Sequence, residues 1–195
     1  MKTRISWIFY CLVSFMLLPS LSAAERFVTN ESNGFTWIQQ GKAYPILVDS
    51  QEDKGVLRAV ANLQTDAGKV TGATPEIIHS PSGNRILIVG SVENSSWIKQ
   101  LVQAGKIPAA DLKGKREKYI LQTVKQPVEG VEEAIVIAGS DKRGTIYGIY
   151  ELSRQMGVSP WYFWADVPVE KHNIISIKEG VYTCLLYTSD AADDL

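Results

Sequence analysis

Residues 139–144 carry the spacing most suggestive of chemistry. Gly139 and Gly144 stand five apart directly after an apolar run, the spacing with which a glycine-rich loop cradles phosphate. Such a loop needs Lys and then Ser or Thr after its second glycine to hold phosphate and magnesium, and Thr145 and Ile146 stand there. The Gly-x-Gly start of a dinucleotide loop is also missing, so nucleotide binding is not expected. A structural reading has Ser140 or Asp141 capping a helix, with Gly144 and Gly148 letting that helix pack closely on a sheet. A functional reading also stands. Lys142 and Arg143 flank the positive end of that helix, which suits a carboxylate or another anion.

Trp161, Tyr162, Phe163 and Trp164 are consecutive and cannot all face one core. In an extended chain they would alternate between two sides. One pair would pack under a sheet, and the other would meet a neighbouring domain or stack on a sugar ring. Asp166 follows as a hydroxyl acceptor. Lys142, Arg143, Trp161, Trp164 and Asp166 are therefore the candidates for a surface facing a substrate or a second domain.

Other chemistries lack their residues. The two histidines, His79 and His172, sit in loop-like sequence without further ligands at metal spacing. No Gly-x-Ser-x-Gly elbow occurs. Glu132 and Glu133 read as surface residues of a turn. No metal, cofactor or self-sufficient catalytic centre is expected. The formal net charge is −1, and the basic cluster Lys113, Lys115, Arg116 and Lys118 is interrupted by Glu117. A nucleic-acid surface would need a basic face, so that class is excluded.

Residues 1–24 have the form of an export signal. Lys2 and Arg4 precede an apolar stretch over residues 5–18, and Ser22 and Ala24 occupy the small-residue positions before Glu25. That stretch falls short of the ~20 residues a bilayer span requires. Cleavage after Ala24 is expected, with a periplasmic or secreted product and no membrane attachment. Residues 184–193 read as the translation of a transposase sequencing adapter. Residues 184–195 are therefore expected to be non-native, and the gene to continue beyond Thr183. Cys11 then leaves with the signal and Cys184 is foreign, so the body 25–183 has no native thiol.

The elements that must position the candidates can be read in order. Residues 35–38 and 44–48 suggest a hairpin around Gln40-Gly41-Lys42. Asp49, Ser50 or Asp53 caps a helix striped by Val56, Leu57, Val60, Ala61, Leu63 and Ala67, ended by Gly68 or Gly72. Short strands are expected at 76–78 and 85–90. A helix capped by Asn94, Ser95 or Ser96 carries Trp97, Ile98, Leu101 and Val102 on one face. Strands follow at 119–124 and 134–139, with a turn at 127–130. A helix over about 142–156 presents Ile146, Ile149, Tyr150, Ser153 and Met156 together, and Gly157 ends it. A last strand is expected at 174–177. Alternating strands and helices imply an α/β sandwich with a mixed sheet.

Residues 137–169, and most of all 140–148 and 157–168, closely resemble the N-terminal domain of glycoside hydrolase family 115, α-glucuronidases acting on glucuronoxylan side chains. The span from about Phe27 to Thr183 fits that domain in order and length. The resemblance implies the small mixed-sheet α/β domain that precedes the barrel in hexosaminidases and α-glucuronidases. It also implies a following (β/α)8 barrel with the reaction centre at the C-terminal face of its strands, using two carboxyl groups and an inverting water. That barrel, the partner of this domain, would lie after Thr183, so no catalytic residue is carried over to this chain. The alternative is a stand-alone exported carbohydrate-binding or domain-docking module.

Overall fold

The computed structural model describes residues 25–185. The expected signal segment and residues 186–195 lie outside the described residues. Two sheets organise the chain. The larger has six strands, in the spatial order 181–185, 118–125, 133–139, 85–91, 46–48, 77–78, and the smaller has four, in the order 28–29, 174–177, 35–39, 42–43.

The large sheet is built on β4 (Ile46–Val48), β5 (Ile77–Ile78), β6 (Arg85–Ser91) and β8 (Glu133–Gly139), which run parallel. β7 (Lys118–Lys125) pairs antiparallel with β8, and β10 (Val181–Leu185) pairs antiparallel with β7 at the edge. The parallel strands read as unbroken apolar runs because both their faces are covered. On one face Leu87, Val89, Ile135 and Ile137 meet α1 (Lys54–Thr71) and α3 (Lys142–Gln155). On the other, Ile86, Ile88, Val136 and Ala138 meet Ile98 and Leu101 of α2 (Ser96–Gln103) together with Ile107 and Leu112.

Helix ends follow the sequence. Asp53 Oδ1 accepts from Gly55 N at 2.8 Å to start α1, and Gly72 ends it in the left-handed conformation at φ 77°. Ser95 caps α2 and Asp141 caps α3. The glycines around α3 serve contact. A Cβ at Gly144 would lie 2.2 Å from Lys118 O, and one at Gly148 would lie 2.7 Å from Ile137 Cγ2. One stripe residue is misplaced by the sequence reading: Tyr150 is 43% exposed, and its hydroxyl accepts from Asn62 Nδ2 at 2.8 Å.

The expected hairpin is half right. β2 (Phe35–Gln39) turns through Gln40 and Gly41, at φ 52° and 75°, into β3 (Lys42–Ala43). Residues 46–48 do not return along β2. Pro45 has no amide hydrogen to continue the ladder, and its carbonyl instead accepts from Leu87 N at 2.9 Å, delivering the chain to the large sheet. The small sheet is completed by β1 (Val28–Thr29) and β9 (Ile174–Ile177), whose register joins Val28 to Ile177 across most of the sequence. Its residues Val28, Phe35, Trp37, Ile175 and Ile177 enter the same core as α1 and α3.

The aromatic run is not extended. α4 (Tyr162–Ala165) is a single helical turn, with Trp164 N and Ala165 N both donating to Trp161 O. Ser159 starts it by accepting from Tyr162 N, and Asp166 stops it at φ 49°. Val181–Leu185 adds a strand beyond the one expected as the last, and it runs through Thr183 and Cys184 opposite Ile120 and Tyr119.

Candidate functional site

In open α/β sheets, ligand sites gather where parallel strands end. At that edge β4, β6 and β8 deliver Asp49, Glu52, Asp53, Ser91, Ser140 and Asp141. Their polar atoms are largely committed to holding loops. Glu52, 5% exposed, accepts from Ser91 N at 2.6 Å and Ser91 Oγ at 2.9 Å. Asp49 Oδ2 accepts from Ser96 N at 3.0 Å. Asp141 Oδ1 accepts from Gly144 N at 2.7 Å, and its Oδ2 accepts from Glu117 N at 2.9 Å. The amide of Gly144, which an incoming anion would use, is thus already bonded to the chain's own carboxylate.

Lys142 and Arg143 extend from this edge. Lys142 Nζ lies 3.6 Å from Asp53 Oδ2. Arg143 Nη1 lies 2.9 Å from Glu117 Oε1, and its Nη2 donates to Tyr147 OH at 3.3 Å. Glu117 sits at φ 55°, and its Oε2 is buried without a hydrogen-bond partner.

Trp161, Trp164 and Asp166 lie elsewhere. They follow the far end of α3, whose 14 residues span about 21 Å at the usual rise. The five candidates therefore form two groups rather than one cluster. Trp161 is 65% exposed and Trp164 is 85% exposed. Tyr162 packs against the core, with Lys69 Nζ 4.3 Å from its ring centroid.

Between the two groups runs a groove that the sequence reading did not isolate. Arg143, Tyr147, Tyr150, Glu151 and Arg154 recur at steps of three and four along α3 and so share a stripe. Opposite stand Tyr119 on β7 and Tyr182 on β10, and the cavity between has a volume of ≈530 Å³. Arg154 grips Glu151 with two bonds, Nε to Oε2 at 2.8 Å and Nη2 to Oε1 at 2.7 Å. Gln155 Nε2 adds a third at 2.8 Å. Burial pushes the Glu151 carboxyl up, but these bonds and the Arg154 charge outweigh it and hold the group below its ordinary range. Burial and the Glu151 charge raise the Tyr119 phenol, which stays neutral. The signal for this stripe was available in the 3-4 spacing, but apolar residues on the same helix drew the reading to its buried side.

A wider depression of ≈960 Å³ surrounds the β7–β8 turn at the opposite end of the sheet and includes none of the five candidates. Among the described residues, no group of three or more His, Cys, Asp or Glu could hold a metal ion. None of their helices is long and apolar enough to cross a membrane.

The chain is similar to several solved structures. One is a family GH115 4-O-methyl-α-glucuronidase, BtGH115A, described as specific for decorated arabinogalactans. The two are 34% identical with a TM-score of 0.63, over 76% of this chain and 18% of that one. CpGH84D is 10% identical at a TM-score of 0.46, over 81% of this chain and 24% of that one. The Streptomyces plicatus N-acetyl-β-hexosaminidase is 15% identical at 0.45, over 80% and 24%. The fold assignment rests on the topology and on BtGH115A. The chain spans about a quarter or less of each of these proteins' lengths. No curated protein matches it. The family profile described as Glycosyl hydrolase family 67 N-terminus matches residues 36–152, from β2 into α3. The chain is a mixed α/β domain with two sheets, and it belongs to this family of glycosyl hydrolase N-terminal domains.

Proposed function

We propose that the chain is the non-catalytic N-terminal part of an exported α-glucuronidase of the GH115 type, whose catalytic barrel follows it. The carrying observation is the 34% identity to a GH115 4-O-methyl-α-glucuronidase over 76% of this chain. The family profile supports an N-terminal position, and the 18% share of BtGH115A leaves room for a barrel. The parent releases glucuronic or 4-O-methylglucuronic acid from polysaccharide side chains. Glucuronoxylan is the substrate proposed from the sequence, and the relative's specificity for decorated arabinogalactans names the comparison substrate. The signal-like residues 1–24 support export to the periplasm or beyond. The domain's role is to dock on the barrel, and the exposed Trp161 and Trp164 with Asp166 support a contact surface beyond α4. Lys142 and Arg143 are a second candidate edge.

The test is uronic-acid release measured on glucuronoxylan and on arabinogalactan. Full-length parent is expected to release the acid from at least one of them, and the 195-residue chain from neither. An inactive, folded parent, or an active 195-residue chain, would overturn the reading.

A further inference from the structure

We infer that the groove between α3 and the β7–β10 edge is a saccharide-binding site that holds a neutral pyranose chain, separate from any uronate-cleaving centre. Its volume of ≈530 Å³ falls in the range of about 300–1,000 Å³ usual for small-molecule sites. Three tyrosines, Tyr147, Tyr150 and Tyr182, present their rings to it from both walls, and Tyr119, only 5% exposed, backs it. Aromatic rings offer apolar faces to the C–H surface of a pyranose, and phenol hydroxyls both donate and accept at its rim. All four tyrosines precede Cys184.

The Glu151–Arg154 pair supplies the polar half. A carboxylate and a guanidinium locked side by side present an acceptor and a planar donor array, the complement of adjacent hydroxyls on a sugar ring. Arg154 spends Nε and Nη2 on Glu151, which leaves further N–H donors in its fork. The geometry is already set before a ligand arrives, because Gln155 also bonds Glu151, and Gln155 Oε1 is in turn fixed by Phe27 N at 2.8 Å. Charge decides which sugar. Arg154 is cancelled by Glu151, and Glu25 also lines the groove, so no surplus positive charge attracts a uronate. A neutral backbone fits, and the acidic branch would be left for a catalytic centre elsewhere.

The inference does not need the parent to be an α-glucuronidase, so binding and parental hydrolysis fail independently. The experiment is calorimetric titration of the 195-residue chain with xylohexaose and with galactohexaose, checked by circular dichroism. Saturable binding of at least one hexasaccharide is expected. Tyr150→Ala is expected to weaken it about tenfold, and Arg154→Lys, which keeps the charge but loses the fork, is expected to weaken it similarly. Gln100→Ala, exposed on α2 at the opposite face of the sheet, is expected to bind as the unsubstituted chain does. Glucuronic acid is not expected to compete. Absence of binding to both hexasaccharides, folded Tyr150→Ala and Arg154→Lys variants that bind normally, or competition by glucuronic acid would each overturn the assignment.

Discussion

Gly144 shows how one residue decides between two chemistries. Its spacing from Gly139 invited a phosphate loop, yet its missing side chain is needed because Lys118 O lies 2.2 Å from where a Cβ would stand. Both partners are backbone, so neither can yield cheaply. Gly144→Ala is expected to destabilise the chain by about 2–4 kcal/mol in urea melts, and an unchanged midpoint would contradict this packing role. Glu151 makes a second residue-scale prediction. Its folded pKa is held below the ordinary carboxylate range, so its contribution is present above the unfolded pKa and is lost as pH falls through the folded one. Glu151→Gln is therefore expected to differ most from the unsubstituted chain near neutral pH and to converge with it in acid, read as stability against pH. Asp66 acts with the opposite sign. Burial raises its pKa despite the Lys69 charge beside it, so its cost is relieved on acidification.

At the scale of elements, capping was the most legible signal. Asp53, Ser95 and Asp141 were each among the residues read as caps, because a short polar side chain before an amphipathic run has few other uses. Asp141 does more than cap, since its second oxygen fastens Glu117 at the start of β7. Asp141→Ala is expected to lose both bonds and about 1–3 kcal/mol by thermal or urea unfolding. A loss confined to a few tenths would mean the β7 tie is not used. What could not be read were the long-range pairings. β1 is two residues long and finds β9 almost 150 residues away, and no local pattern encodes that. Pro45 was visible, but its effect of sending the chain from one sheet to the other depends on where Leu87 waits. The extended reading of the aromatic run failed because the bonds Ser159 accepts from Trp161 N and Tyr162 N and Asp166's left-handed conformation close a turn that alternation cannot report.

On the scale of the whole molecule, the mixed α/β class followed from alternating elements, and the second sheet did not. The five residues read as candidates do not form one cluster: α3, about 21 Å long, separates Lys142 and Arg143 from the segment that carries Trp161, Trp164 and Asp166, and the groove beside α3 emerges only when β10 is in place. The most direct test is to read the coding DNA across and beyond the codon for Thr183. The expected result is an open frame of several hundred codons with barrel-like strands and paired carboxylates. A stop codon directly after Leu195 in the source DNA, with residues 184–195 genuine, would contradict the account and leave a small sugar-binding or docking protein in its place.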